Sequence, residues 1–198
     1  MKMSLWMLAL SCALTASLAA QQAAGPAAKQ AMPKAAAASP ITDSIKANYT
    51  AVKGYLTKAA AAVPEKGYLF KPAGVAAEVR NFGQLIGHIA NVNFMLCAPM
   101  VGAAMQGETG PGGVDYEKTT TKAGLEKALA ESFAYCDRAF AAVNDSNAAQ
   151  PVTGLPIGPS TKIGALAANN GHDFEHYGNI ITYMRAMGMV PPSSAPSK

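Results

Sequence analysis

Gly171-His172-Asp173-Phe174-Glu175-His176-Tyr177-Gly178-Asn179 contains two of the three histidines in the 198-residue chain. Upstream and downstream of it, Ile163, Ala167, Asn170, Phe174, Ile181 and Met184 recur at helical spacing, which predicts an apolar stripe. Asn169, His172, His176, Asn179 and Tyr183 form a polar stripe beside it. The helix starts at a Ser160 cap and runs to about Met187, before Gly188 and the Pro191-Pro192 stop. His172 and His176 then lie one turn apart on one face. Gly171 costs about 1 kcal/mol relative to alanine in mid-helix. The expected return is room for another helix to approach beside His172.

Three more helices are read in the same way. The first follows Pro40, with Thr42 or Asp43 as cap, and carries Ile41, Ile45, Tyr49, Val52, Leu56 and Ala59 as its stripe until Pro64 ends it. Tyr68-Leu69-Phe70-Lys71-Pro72 reads as a buried loop anchor. The second helix starts at Asn81, which has capping-box spacing to Gln84. Phe82, Leu85, Ile89, Val92 and Leu96 form its core stripe, and Gln84, His88 and Asn91 a polar one. Glycine-rich Gly102 to Val114 is a loop. The third helix follows Thr119-Thr120-Thr121, with Leu125, Leu129, Phe133, Cys136, Phe140 and Val143 inward. Few β-branched runs alternate with polar residues. Four helices imply an all-α, four-helix bundle over residues 40–194.

Bundles build metal sites from side chains on facing helices. Two imidazoles need at least one further ligand to hold a zinc-like ion, and His88 on the second helix supplies it. The expected metal ligands are therefore His88, His172 and His176. The alternative is that His172 and His176 are polar core residues bonded to Asn169 and Asn179. His172 to His176 also matches H-x-x-E-H, in which Glu175 would be the general base of a metalloprotease. That class takes a downstream acidic ligand, and no Asp or Glu follows Glu175.

Lys2, the apolar run from Leu5 to Leu10 and Ser17-Leu18-Ala19 read as a signal peptide over residues 1–20. Cys12 lies within it, and lipoprotein anchoring is the alternative to secretion or a periplasmic location. Residues 21–39 read as an Ala/Pro-rich disordered linker. Beyond the leader no stretch has eighteen uninterrupted apolar residues, so no integral membrane segment is expected. Of 16 basic residues, Lys2, Lys29 and Lys34 precede the bundle; the other 13 face 12 acidic ones. The absence of a basic stripe argues against nucleic acid as a partner. Cys97 and Cys136 either bridge, as an oxidising compartment allows, or are two small buried thiols.

Val79-Arg80-Asn81-Phe82-Gly83-Gln84-Leu85-Ile86-Gly87-His88, Ser132-Phe133-Ala134-Tyr135-Cys136-Asp137, and Glu175 to Arg185 followed by Pro191-Pro192-Ser193-Ser194 resemble the DinB-like family. The resemblance spans roughly Pro40 to Ser194. It implies a four-helix bundle, often a homodimer, with a divalent metal on three histidines, here His88, His172 and His176. Some members resemble S-transferases that use low-molecular-weight thiols. Many relatives have Arg where this chain has Tyr177, and most are cytoplasmic. The expectation is thus a secreted metal-binding protein, a transferase or hydrolase of a small molecule. The alternative is a non-catalytic metal-stabilised binding module of the cell envelope. Zinc or nickel is the expected metal. The catalytic residues are unknown: Glu175 or Asp173 would orient a ligand histidine, and Tyr177 or Tyr183 would donate to a substrate. Histidine ligation implies metal loss as pH falls through about 6.

Overall fold

Four helices carry the fold: α1 Pro40–Ala62, α2 Phe82–Cys97, α3 Lys122–Ala142 and α4 Lys162–Ala186. The computed structural model describes residues 39–103 and 107–196; the expected leader, and the expected linker up to residue 38, lie outside these. α1 and α2 each pack against both α3 and α4, so α1 and α2 stand diagonally across an all-α four-helix bundle. This order puts α2 beside α4, the two helices that carry the histidines. Among the described residues the extended structure is one antiparallel ladder, β1 (Pro151–Val152) with β2 (Ser160–Thr161), in the α3–α4 connection.

Local sequence sets most helix starts. At α2 the capping box forms: the Gln84 N–H donates to Asn81 Oδ1 at 2.8 Å, and the Asn81 N–H donates to Gln84 Oε1 at 2.9 Å. Thr121 Oγ1 accepts from the Gly124 N–H at the start of α3. At α4 the cap is Thr161, whose Oγ1 accepts from the Gly164 N–H at 3.1 Å, and not Ser160, one residue earlier. α1 departs further from expectation. Neither Thr42 nor Asp43 caps it; the Asp145 carboxylate accepts from the backbone N–H groups of Ile41 and Thr42 at 3.2 and 2.9 Å. A carboxylate there satisfies unpaired amides and complements the helix dipole.

Val52 and Leu56, Phe82, Ile86 and Ile89, Leu125, Leu129 and Phe133, and Leu166, Ile180 and Met184 fill the centre of the bundle. Tyr49 stacks on Phe140 with ring centroids 3.9 Å apart. Ile41, in the first turn of α1, is 63% exposed and lies outside the core. Every α2 residue except Gln84 is buried, so His88 and Asn91 of its expected polar stripe are interior and Gln84, at the start of the helix, is half-buried. Phe82–Val101 is long and apolar enough to cross a membrane, but 83% of that window is buried inside the bundle.

The stripe expected on α4 is rotated. Phe174 is 39% exposed and Ala167 is exposed, while Asn169, Asn170, Asp173 and His176 are buried beside Tyr177 and Ile180. Polar side chains occupy core positions because they bond across the bundle. Asn169 Nδ2 donates to Asn93 Oδ1 at 2.6 Å, Asn93 Nδ2 to Ser132 Oγ at 3.3 Å, and Asn170 Nδ2 to the Ile45 carbonyl at 2.9 Å. Gly171 faces away from this seam. A Cβ placed on it would meet nothing within 4 Å, so no helix approaches there.

Cys97 at the end of α2 and Cys136 on α3 form a disulfide, with Cα atoms 5.3 Å apart across 39 residues. Closing a loop of that length removes roughly 4 kcal/mol of unfolded-chain entropy. Reduction of the bridge should lower the unfolding free energy obtained from urea titration by roughly 4 kcal/mol, with the m-value rising as the unfolded chain expands. Because Gly171 stands in open space, Gly171→Ala should stabilise the protein by about 1 kcal/mol. A thermal melt should register this as an increase of about 2–4 °C; a decrease would mean that the glycine serves a close contact.

Candidate metal centre

α2 and α4 bring the three histidines together. His88 and His176 are buried and His172 is partly so, and one ligand nitrogen from each lies within 4.8 Å of the others. Ring centroids are 5.0 Å apart for His88–His172, 4.8 Å for His88–His176 and 4.4 Å for His172–His176. His88 Nε2 and His172 Nε2 face one another at 3.1 Å. Two nitrogens 2.0–2.1 Å from a tetrahedral ion would be about 3.3 Å apart, so the spacing fits one shared cation.

His172 and His176 are held neutral by their surroundings. Burial, followed by His176, His88 and Arg80 nearby, pushes His172 down to about 3. Burial and then His88 push His176 down to about 4, with Glu175 and Glu117 pulling the other way. A neutral imidazole retains a lone pair, which a ligand requires. Asn179 reaches His176 Nδ1 at 3.2 Å; its amide offers either an N–H or a carbonyl oxygen to that nitrogen. Asn169 bonds to Asn93, not to His172, whose Nδ1 is buried without a hydrogen-bond partner.

The site opens to a cleft of about 440 Å³. Arg80, Glu108 and Glu175 stand around it, and Val92, Met95, Leu96 and Ile157 give it an apolar wall. A larger cleft of about 670 Å³ lies between Pro64, Leu69, Phe70, Met187 and Met189. It differs in chemistry, since Lys66 is its one ionisable lining residue.

Several expected roles move to other residues. The carboxylate that meets a triad histidine is Glu117, with Oε1 2.9 Å from His88 Nδ1. Glu175 is exposed and has no hydrogen bond among the described residues, because its position on α4 turns it towards solvent at the cleft. Asp173 is wholly buried and makes no hydrogen bond to any histidine. Tyr177 and Tyr183 are committed to structure. The Tyr177 hydroxyl donates to Ser193 Oγ and accepts from the Ser193 N–H, both at 2.9 Å. The Tyr183 hydroxyl donates to the Arg80 carbonyl at 2.8 Å. Neither lines the cleft.

Asp173 has a different property. Its two oxygens, Asn169 Oδ1 and Asn170 Oδ1 are buried acceptors without partners, and the three side chains share a helix face. Burial pushes the carboxyl well above the usual carboxylate range, and a retained proton gives those acceptors a donor. The folded state thus holds a proton that the unfolded chain releases near pH 4, and stability falls as pH rises from there. Asp173→Asn, which is isosteric and adds a donor, should therefore stabilise the metal-free protein at pH 7. Urea titrations should show the gain shrinking at pH 4 and below; an equal difference at both values would place an ionised Asp173 in the folded state.

A model of the DinB superfamily matches residues 48–180. That span includes all three histidines, Arg80, Glu117 and both bridged cysteines. A search of curated proteins gives no match to the chain.

Proposed function

We propose that this chain, which belongs to the DinB superfamily, holds one divalent metal ion on His88, His172 and His176 and acts as a hydrolase or transferase on a small molecule. The observation that carries the reading is the 3.1 Å approach of His88 Nε2 and His172 Nε2, with His176 beside them, at the open cleft. Nitrogens that close repel unless a proton or a cation lies between them.

Charge supports a dication. Glu108, Glu117 and Glu175 stand around or behind the triad against the single guanidinium of Arg80. With neutral imidazoles this leaves two negative charges. Three neutral nitrogen donors suit zinc or nickel, and oxygen-preferring magnesium or calcium much less. Bound there, such an ion lowers the pKa of a water or thiol in its remaining coordination position.

The protein supplies the rest. The open cleft admits a ligand to the triad, and the wall of Val92, Met95, Leu96 and Ile157 excludes water from one side of it. These features favour turnover over a closed structural site. The Cys97–Cys136 bridge supports a secreted or periplasmic location, because cytosolic thiols are kept reduced.

The test is metal content of the protein purified without chelator or affinity metal. The wild type should carry about one equivalent of zinc or nickel, and His176→Ala should carry little. Proton competition should begin late, because His172 and His176 titrate at about 3 and 4 and not near 6.5. Zinc should remain bound at pH 5 and leave as pH falls through about 4. Release at pH 6, as solvated histidines would give, would contradict a desolvated triad.

A further inference from the structure

We propose that Glu117 is a positioning residue that fixes the tautomer of His88, so that Nε2 is left bare towards the other two histidines. The proposal rests on the metal reading for its affinity arm alone. Its tautomer arm concerns the metal-free protein.

For the neutral form of His88 the atoms leave one arrangement. A carboxylate only accepts, so at 2.9 Å from Glu117 Oε1 it is His88 Nδ1 that carries and donates the proton. A neutral imidazole has one N–H, and Nε2 therefore presents a lone pair. That nitrogen lies 3.1 Å from His172 Nε2. Glu108 Oε2, 3.6 Å from Nδ1, stands beyond hydrogen-bond distance, so without Glu117 the proton is free to sit on Nε2, where it would block the ligand lone pair.

Glu117 is held from two sides. The Arg80 fork donates to it, Nε to Oε2 at 2.8 Å and Nη2 to Oε1 at 3.1 Å. Arg80 in turn is fixed through its carbonyl by Tyr183 from α4. Such a two-pronged pair sets the plane of the carboxylate. From below, Asn91, one helical turn beyond His88, clamps the Tyr116–Lys118 turn. Its Oδ1 accepts from the Tyr116 N–H at 3.1 Å, and its Nδ2 donates to Asp115 Oδ1 at 3.0 Å.

Gly87 lets the turn come this close. A Cβ there would lie 2.4 Å from the Tyr116 carbonyl oxygen and 2.8 Å from Glu117 N, which is backbone and cannot swing away. Glycine in mid-helix is unfavourable relative to alanine. Unlike Gly171, Gly87 stands where only hydrogen fits. Glycine, ligand and clamp thus occupy neighbouring positions on α2, all directed at one short turn.

The experiment compares wild type with Glu117→Gln, Glu117→Ala and Gly87→Ala. Long-range ¹H–¹⁵N NMR of the metal-free wild type should show His88 protonated at Nδ1. Gln keeps an acceptor without the charge and should preserve that tautomer; Ala should move the proton to Nε2, and Gly87→Ala should do the same by displacing the turn. Zinc affinity, by competition with a chromophoric chelator, should fall 10–100-fold in Glu117→Ala and less in Glu117→Gln, with the far-UV spectrum unchanged. An Nε2-protonated His88 in wild type overturns the proposal, as does wild-type zinc affinity in Glu117→Ala. Failure of wild type to bind zinc while His88 is Nδ1-protonated overturns the metal reading and leaves the tautomer assignment standing.

Discussion

Two imidazole nitrogens 3.1 Å apart in a desolvated seam between α2 and α4 set the terms for the rest of the molecule. They repel unless a proton or a cation lies between them, and burial disfavours a second proton on His172 and His176. The helices must come close enough to create that spacing, so α2 is buried nearly all round. The capping box, the Cys97 bridge and the clamp at Asn91 all act on this one helix. Its position determines whether His88 meets its partners.

The helices were legible in the sequence because the signals are local. Asn81 and Gln84 mark a start by their spacing, and Leu125, Leu129, Phe133, Cys136 and Phe140 repeat with the period of one face. The triad was legible too, since histidine is scarce and His172 and His176 are four residues apart. What failed was the orientation of α4. The apolar spacing assigns Phe174 inward and Asn169 to a polar stripe beside it; the bundle instead buries Asn169 by bonding its amide to Asn93 and leaves Phe174 39% exposed. Asp145 at the start of α1 was invisible for a related reason. The cap comes from a connection more than a hundred residues along the chain, and no spacing rule reaches that far.

Glu117 shows the limit most plainly. It lies on a three-residue helical turn after a glycine-rich loop, 29 residues from the histidine it meets, in a stretch without periodicity. Asp173 and Glu175, adjacent to the ligands in sequence, were the obvious carboxylates and are not the ones used. Neighbours in a helix point in different directions, so adjacency to a ligand is weak ground for contact with it. The one available signal was Gly87. Even that signal was ambiguous, because Gly171 also stands beside a histidine in a helix interior and meets nothing within 4 Å.

The Cys97–Cys136 bridge closes the segment between them into a ring, and Glu117 belongs to that ring. Without the bridge, Glu117 reaches His88 at the end of a single 29-residue tether; with it, α3 supplies a second. Two tethers raise the effective concentration of the carboxylate at the imidazole without adding any contact at the site. The thiol state of the surroundings therefore reaches the three histidines at a distance. A chain folded under reducing conditions keeps all three histidines and presents His88 with a more dilute partner.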